Sequence, residues 1–455
     1  MQPFIPTGSL ATFFGSDNAG PVERWPPDRL LAYQRDAIAE QLRHVEANNP
    51  LYRDKLSAAG LTAADFGELA DLARFPFTNK RELLRKPWAL LSLPREQVCL
   101  THTSTGTTGG DWSYILYSWD DMHGHDVLPA PRLLMPVQAG DVVINALPYE
   151  MSSSGQSFQR SLQAGAGALV VPVGKGGFYS DPAKTIDIMA DLAANVLITT
   201  PPYAMLLSEI AARRGLKAGH YLRPRFMWIT GEGCSPAYRR RLQEIWNCPA
   251  LVFYGSMECG SIAIEGPAQD GSYVSGGQVY VEIIDPQSGQ PLPPGQVGEV
   301  VCTVLQRKAS PLIRYRTADL GLLDVSPGKD GFTLPRLFIR GRMADQIAQP
   351  AGEAAAPLIS PYMVEDVLYA QPEMGGNYQL YTVGPRLLID AEPRGSAGEL
   401  TAAADRIVAA LAQRGVTAEL RWTPHIPRAG GKTRRLRPFD TRDWLMSQPC
   451  LLQGE

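Results

Sequence analysis

Apolar residues along this chain change their spacing several times. From Arg29 to Ala47 they recur every three or four positions, which predicts an amphipathic helix. Shorter helices follow over Leu51–Arg85, interrupted at Gly60 and Pro76, and this helical front end reaches Pro94. Val98–Thr101 and Tyr114–Tyr117 then read as strands on either side of a stretch with no apolar face, Thr103-Ser104-Thr105-Gly106-Thr107-Thr108-Gly109-Gly110. From Val142 onward short apolar runs alternate with helical periods. Val142–Leu147, Ala168–Val173, Val196–Thr200, Arg225–Thr230 and Leu251–Tyr254 read as strands. Gln156–Gln163, Pro182–Ala193, Tyr203–Arg213 and Ser235–Trp246 read as the helices between them. This alternation predicts an α/β fold whose sheet is mostly parallel and covered on both faces.

After Glu258 the period becomes that of strands and turns. Val279–Ile284, Gly298–Leu305, Leu312–Tyr315 and Gly321–Val325 predict a small antiparallel sheet or barrel. Gly341-Arg342 is a candidate hinge. Beyond it Pro361–Tyr369, Tyr378–Val383, Leu387–Ala391, Ala402–Arg414 and Ala418–Trp422 supply helices and strands for a small α+β domain, and Gln349–Pro357 reads as a flexible loop. The expected division is a large domain over 1–341 and a small one over 342–455.

Composition narrows the function. The chain has 455 residues, too long for one core, and a formal net charge of −3, without the basic excess of a nucleic-acid binder. Its 6 cysteines are scattered without zinc-like spacing, which fits free thiols in a reducing cytoplasm. His123 and His125 lie two apart and would face different ways on a helix. The start, Met1-Gln2-Pro3-Phe4-Ile5-Pro6, lacks the basic and apolar regions of a signal peptide, and no apolar run has the length of a membrane span. A cytoplasmic protein with neither nucleic-acid nor membrane partner is expected.

Chemistry is concentrated in five polar loops. In the Gly/Thr stretch, backbone N–H groups and hydroxyls can converge on a polyanion such as a nucleotide triphosphate. No lysine follows Gly109 or Gly110, so it is not a Walker loop, nor does it match the dinucleotide fingerprint. A surface linker is the competing reading of this stretch alone. Thr230-Gly231-Glu232-Gly233 and Tyr254-Gly255-Ser256-Met257-Glu258 each follow a predicted strand, where α/β sheets bind ligands. Tyr315-Arg316-Thr317-Ala318-Asp319-Leu320-Gly321 and Gly430-Gly431-Lys432-Thr433-Arg434 complete the set.

Taken in order, the five loops resemble those of the acyl-adenylate-forming superfamily: acyl-CoA synthetases, peptide-synthetase adenylation domains and luciferases. Tyr52-Arg53-Asp54-Lys55-Leu56, Phe75-Pro76-Phe77-Thr78-Asn79-Lys80 and Leu93-Pro94-Arg95-Glu96 resemble the phenylacetate–CoA ligase branch, and the likeness runs from about Tyr52 to Leu436. The resemblance implies ATP-dependent activation of a carboxylic acid as its adenylate, release of pyrophosphate, and transfer to coenzyme A. It also implies a large domain of layered, mostly parallel sheets and a mobile C-terminal domain.

Roles follow from the motif positions. Ser104, Thr105, Gly106, Thr107, Thr108 and Gly109 would hold the phosphates. Glu258, with Thr107, would hold Mg²⁺. Tyr254 would stack on adenine beside Gly255 and Ser256, while Gly231, Glu232 and Gly233 line the base pocket. Asp319 would accept hydrogen bonds from the ribose, with Arg342 assisting. Lys432 would reach the α-phosphate and carboxylate oxygens, joining Glu258 and Thr107 as catalytic residues. Tyr149 and Ser154, in Pro148-Tyr149-Glu150-Met151-Ser152-Ser153-Ser154, and Tyr203 would wall the acid pocket. The branch points to an aromatic acid and a homodimer.

The pattern is broken in three places. Gly110-Asp111 stands where relatives often have a lysine, Ala344 replaces the hinge acid beside Asp345, and Ala348–Glu353 departs from a basic stretch used in thioester formation. The acceptor could then be a carrier-protein thiol or an amine instead of coenzyme A. A non-catalytic nucleotide-binding protein is the reading from another class, opposed by the retention of Glu258, Asp319 and Lys432.

Overall fold

The computed structural model describes residues 21–104, 111–122, 133–134, 136–176, 180–347, 359–428 and 433–446. The Gly/Thr residues 105–110, His123, His125, Gln349–Pro357 and Lys432 lie outside them. The chain divides into two compact units, each built from separate stretches. The first comprises Met1–Asp141, Pro148–Pro172 and Leu251–Arg340, and the second Val142–Leu147, Val173–Ala250 and Gly341–Glu455.

In the first unit the helix Pro27–Asn48 buries Leu30, Ile38, Leu42 and Val45 at the helical period expected of an amphipathic segment. Asn49 accepts from the Tyr52 N–H at 3.1 Å and so caps the next helix, Pro50–Ala58. The strands Val98–Thr103 and Tyr114–Ser118 pair as an antiparallel hairpin around the Gly/Thr stretch. A larger sheet runs in the spatial order Val279–Ile284, Gly298–Val304, Tyr315–Asp324, Arg336–Arg342, Ser272–Val274, Gly260–Glu265 and Ala250–Ser256. Its pairs are antiparallel, with Val281 opposite Cys302 and Phe253 opposite Ile264. Side chains of the front helices and of this sheet share one core, which includes Val45, Tyr52, Phe75, Ile262, Val300 and Leu337.

Two readings of this region change. Gly260–Glu265, Ser272–Val274 and Arg336–Arg342 are strands that the sequence pattern did not single out. Leu312–Tyr315 is not a separate strand, and the strand Tyr315–Asp324 takes in the predicted Gly321–Val325. Leu312 and Ile313 are buried, but their neighbourhood is held by side chains in place of a ladder. The Ile313 N–H donates to the Tyr52 hydroxyl at 3.0 Å and the Arg314 N–H to Thr303 Oγ1 at 3.0 Å. Arg314 itself has φ +46°, incompatible with a regular strand.

The second unit holds the parallel ladder. Val142–Asn145, Val196–Thr199 and Phe226–Thr230 align with Val143 opposite Val196 and Ile198 opposite Trp228. The helices Pro182–Asp191, Pro201–Arg213 and Pro236–Trp246 each carry proline at their start, and Asp181 and Ser235 cap the first and last of them. A four-stranded sheet of Ala418–Trp422, Arg386–Pro393, Met374–Val383 and Leu436–Pro438 follows in that spatial order, with helices Pro361–Tyr369 and Ala397–Ala412. The latter starts earlier than its apolar period suggested, because Ser396 and Glu399 form a capping box. Within this unit Pro361–Tyr369 also caps Pro236–Trp246. Glu365 Oε1 accepts from the Ser235 N–H at 2.7 Å and Asp366 Oδ1 from the Ala237 N–H at 2.8 Å. The Tyr238 and Tyr369 rings stack at 4.1 Å. The whole is a mixed α/β fold with a parallel layer, an antiparallel sheet and an α+β segment. Among the described residues no helix is long and apolar enough to cross a membrane.

Candidate active site

The front-end motifs and the Asp319 loop meet in the first unit. Thr78 Oγ1 donates to Ile313 O at 2.7 Å, its N–H donates to Arg314 O at 3.0 Å, and its own carbonyl accepts from the Arg316 N–H at 3.0 Å. The Tyr52 hydroxyl bonds Thr78 Oγ1 at 2.9 Å, and burial pushes that phenol up to about 12. Arg314, nearly inaccessible, forks onto Glu282 at 2.9 and 3.1 Å and donates to Ala73 O and Phe75 O at 2.9 and 2.8 Å. Burial raises the Glu282 carboxyl, while the guanidinium pulls it back down. The Tyr52 and Phe75 segments of the front end are thus bolted to the backbone just before Asp319.

That backbone is then bent into place. Between Gly298–Val304 and Tyr315–Asp324 the register slips, and Ala318 sits at φ +60°. Glu299 holds the slip: its Oε1 accepts from the Ala318 N–H at 3.1 Å and its Oε2 from Arg316 Nε at 2.8 Å. The Asp319 N–H in turn donates to Thr317 Oγ1 at 3.1 Å. A strained non-glycine residue kept by this many contacts is typical of a functional loop. Asp319 is buried, and Oδ2 accepts a hydrogen bond from the Tyr254 hydroxyl at 2.7 Å. Burial first, and the facing Asp319 carboxylate second, push the Tyr254 phenol well above its ordinary range, so it stays a donor. Two residues chosen from separate motifs are therefore direct partners.

Glu258 follows the strand that carries Tyr254, Gly255 and Ser256, where Ser256 Oγ accepts from the Cys259 N–H at 3.0 Å. Arg307, itself buried, donates to the Glu258 carbonyl at 2.6 Å and to Ser310 O at 2.7 Å, fixing the backbone. The Glu258 carboxylate meets Lys80 Nζ at 3.2 Å and accepts from Ser113 Oγ at 3.3 Å. Ser113 Oγ also bonds Ser104 Oγ at 2.8 Å, so a hydroxyl from each arm of the hairpin leads to Glu258. Asp111, beside that hairpin, is countered by Arg85 at 2.8 Å. Lys80 was missed in the sequence as a chemical group, although it ends the Phe75–Lys80 motif. Thr105, Gly106, Thr107, Thr108 and Gly109 lie outside the described residues.

Tyr149 is placed by Gly155. A Cβ at 155 would stand 2.6 Å from Pro148 O and 2.7 Å from the Tyr149 ring, so only glycine allows the ring to lie there. Ser154 opens the helix Ser154–Ala166, its Oγ 3.1 Å from Ser152 Oγ. The Met151 carbonyl accepts from the Thr103 N–H at 2.9 Å, tying this turn to the hairpin.

Six predicted residues belong to the second unit, five of them among the described residues. Gly231 ends the strand Phe226–Thr230 with φ +83°, a conformation natural to glycine. Glu232 Oε1 pairs with Lys175 Nζ at 3.0 Å, both side chains being at least nine-tenths buried. Lys175, between Gly174 and Gly176, is the second charged group that sequence reasoning passed over, although a lysine between glycines is itself a signal. A Cβ at Gly233 would stand 3.7 Å from the Tyr362 ring. Tyr203 is buried in the first turn of Pro201–Arg213, and burial pushes its phenol up to about 12. Arg342 ends its strand, its carbonyl accepting from Gln346 Nε2 at 2.9 Å. Lys432 lies outside the described residues.

Among the described residues no cluster of three or more His, Cys, Asp or Glu could cage a metal. A single carboxylate beside a hydroxyl, as at Glu258, fits Mg²⁺ of the kind held mainly by substrate phosphates and water.

The model of the AMP-binding enzyme family matches residues 94–304. The phenylacetate-coenzyme A ligase of Thermus thermophilus is 30% identical over 377 residues, covering 82% of each chain. That of Escherichia coli is 32% identical over 308 residues, covering 66% of this chain and 68% of its own. In fold, the chain is similar to 2-hydroxyisobutyryl-CoA ligase in the postadenylation state in complex with R3-HIB-AMP. That match has a TM-score of 0.83 at 21% identity, over 97% of this chain and 96% of the other. The protein is an AMP-forming ligase: it belongs to the acyl-adenylate-forming superfamily, in the branch of the phenylacetate–CoA ligases.

Proposed function

We propose that the protein activates a small aromatic carboxylic acid with ATP, releasing pyrophosphate, and passes the acyl group from AMP to the thiol of coenzyme A. The observation that carries this reading is the joining of Tyr254 to Asp319 at 2.7 Å, in the same unit as the Glu258–Ser113–Ser104 chain. One group suits a ribose and base, the other a phosphate with its cation. The acid carboxylate attacks the α-phosphorus, and the bond to pyrophosphate breaks. Charge gathers on phosphate oxygens, so the protein's task is positioning and electrostatic stabilisation.

Ser104 and the hydroxyl and amide donors of Thr105, Gly106, Thr107, Thr108 and Gly109 hold the phosphates. Glu258 and Thr107 are the residues that would hold Mg²⁺, which offsets phosphate charge when bound. Tyr254, with Gly255 and Ser256, and Gly231, Glu232 and Gly233 line the base site, and Asp319 and Arg342 take the ribose. Lys432 balances charge on the reacting oxygens. Tyr149, Ser154 and Tyr203 shape the acid site. The residues from 342 onward act as the smaller domain, hinged at Gly341-Arg342, in a cytoplasmic homodimer.

Pyrophosphate exchange into ATP across a panel of aryl and aliphatic acids tests the first half. Exchange with no acid at all would remove the enzyme reading. Mass analysis of the product formed with coenzyme A tests the second half. Adenylate formation without a CoA thioester would move the acceptor to a carrier-protein thiol or an amine.

A further inference from the structure

We propose that Lys175, Glu232, Thr200 and Tyr203 form a polar corner that selects acids bearing a hydroxyl group, a refinement that rests on the adenylating reading above. All four belong to the second unit. Thr200 follows the strand Val196–Thr199 and Glu232 follows Phe226–Thr230, at the carboxyl edge where sheets of this kind take their ligands. Asn145 ends the next strand of that ladder, and its carbonyl accepts from the Gly174 N–H at 3.2 Å, which brings Lys175 to the same edge. Gly174 and Gly176 both have positive φ, +72° and +75°, and the turn they make leaves Lys175 buried.

Two hydroxyls beside the Lys175–Glu232 pair are buried and unanswered. Thr200 is 3% exposed and Tyr203 2%, and among the described residues neither hydroxyl has a hydrogen-bond partner. The sequence explains the first. Thr200 is the N-cap of the helix Pro201–Arg213, but Pro201 and Pro202 have no N–H to give it. The next amide, of Tyr203, donates to the Thr200 carbonyl at 3.1 Å, so the side chain caps nothing. Thr200 lies against the residue before Glu232, since a Cβ at Gly231 would stand 3.4 Å from Thr200 Cγ2. The Tyr203 phenol lies at the other end of the pair. Burial raises its pKa, and the nearby Thr185 hydroxyl and Gly176 N–H pull it partly back, yet neither closes a hydrogen bond.

An unmet buried hydroxyl works against folding, so two of them flanking one ion pair point to a ligand that completes them. The charge of that ligand follows from the pair. Lys175 Nζ and Glu232 Oε1 stand 3.0 Å apart and balance each other. An ammonium or a second carboxylate on the acid would add a net charge in a desolvated place, which is costly. A plain hydrocarbon ring would leave both hydroxyls unmet. A phenolic or alcohol hydroxyl satisfies both demands, being neutral and able to donate and accept at once. Sites built for a hydroxyl discriminate strongly against the analogue that lacks it.

Pyrophosphate exchange into ATP tests this with benzoate and phenylacetate, each plain, with a ring hydroxyl at each position, and with an aminomethyl or carboxyl substituent. For at least one hydroxylated acid, kcat/KM is expected to exceed that of the plain parent and of both charged analogues by about tenfold or more. Thr200→Val and Tyr203→Phe should each reduce that preference by about fivefold or more. The unfolding midpoint of the free protein should hold or rise in both, because each removes an unmet buried hydroxyl. A hydroxyl that served only the fold would lower the midpoint and leave the preference in place. Lys175→Met combined with Glu232→Met removes the pair without stranding a charge, and should erase the preference as well. Equal or better exchange with the plain or charged acids overturns the inference while adenylation stands. Variants that change only the KM for ATP would assign the corner to adenine, and overturn it too. Exchange with no acid removes the adenylating reading and this inference together.

Discussion

Glu258 in the first unit and Glu365 in the second are equally hidden from solvent, at 6% and 4% exposure, yet they are held in opposite ways. Glu365 accepts from the Ser235 N–H at 2.7 Å and the Tyr378 hydroxyl at 2.8 Å, two dipoles fixed by a helix end and a packed strand. Arg435 lies over the Tyr378 ring at 4.2 Å and donates to Asn377 Oδ1 and Tyr378 O, both at 2.7 Å, adding a half-buried positive charge to the same cluster. Glu258 instead faces a serine hydroxyl and the tip of Lys80, a side chain 39% exposed on a flexible stem. A carboxylate tied to rigid donors gives up folding energy if it takes another partner. One tied to a mobile ammonium can exchange it for a different cation at little cost. Burial does not distinguish the structural acid from the functional one; the rigidity of its partners does.

The comparison is broken most forcefully in the second unit. Glu365→Ala leaves Arg435 without its facing charge and the Ser235 N–H, at the start of the helix Pro236–Trp246, without its acceptor. Removing one partner of a buried charge cluster typically costs about 3–5 kcal/mol. Urea unfolding of the variant should show a loss of that order, and a loss below about 1 kcal/mol would mean that the cluster is not a keystone.

A second, slightly smaller effect appears as pH dependence. Glu209, paired with Arg428 at 2.9 Å, has its carboxyl raised from 4.5 to about 7, by burial first and against the pull of Arg428. Glu392 adds repulsion and Arg213 a further small attraction. Because the folded state holds this proton more tightly, the group favours folding fully below pH 4.5 and ceases to do so as pH rises to about 7. Its contribution to the decline across that window is up to about 3 kcal/mol. Glu209→Gln should flatten this part of the stability profile, and an unchanged slope would assign it to other groups.

In the first unit the expected effects move from stability to rate. Glu258→Gln keeps the shape and hydrogen-bonding capacity of the side chain but removes the charge that a cation needs. Pyrophosphate exchange should fall by about 10² or more, on the scale of losing one preorganised electrostatic contact, with the unfolding midpoint unmoved. Exchange within about threefold of the parent would place Glu258 among the structural acids.

What could be read from the sequence divides along the same line. Strands and helices of the parallel layer were legible because Val196–Thr199 and Phe226–Thr230 are continuous apolar runs, a pattern that burial on both faces dictates. Motif order placed Tyr254 and Glu258 in one loop and Asp319 in another, but their partners were not visible. Lys80 reaches Glu258 across 178 positions of chain, and no local pattern encodes that. Leu312-Ile313 looked like a strand because both residues are apolar and buried. The Ile313 amide, however, is satisfied by the Tyr52 hydroxyl and the next one, of Arg314, by the Thr303 hydroxyl, instead of a continued ladder. Local periodicity reports burial well and reports the source of hydrogen bonds poorly. Ser396 and Glu399 were a readable signal, a capping box that opens six residues ahead of the predicted helix start and that the apolar period alone concealed.

The finest distinction between the two regions rests on one hydroxyl. Tyr254→Phe deletes the 2.7 Å bond to Asp319 while leaving the half-buried ring in place. If Asp319 serves only the fold, the loss should appear as stability, about 1 kcal/mol for a buried hydrogen bond, with kinetics unchanged. The Glu299 and Thr317 contacts already hold the Ala318 and Asp319 amides, so the fold has little need of the phenol. The bond is better placed to aim the carboxylate, because it fixes Oδ2 in one orientation. The expected result is therefore a KM for ATP raised about fivefold, with kcat and the KM for the acid nearly constant, since only nucleotide binding loses the preset geometry. A drop in unfolding midpoint with an unchanged KM for ATP would move Tyr254 and Asp319 to the structural side, alongside Glu365.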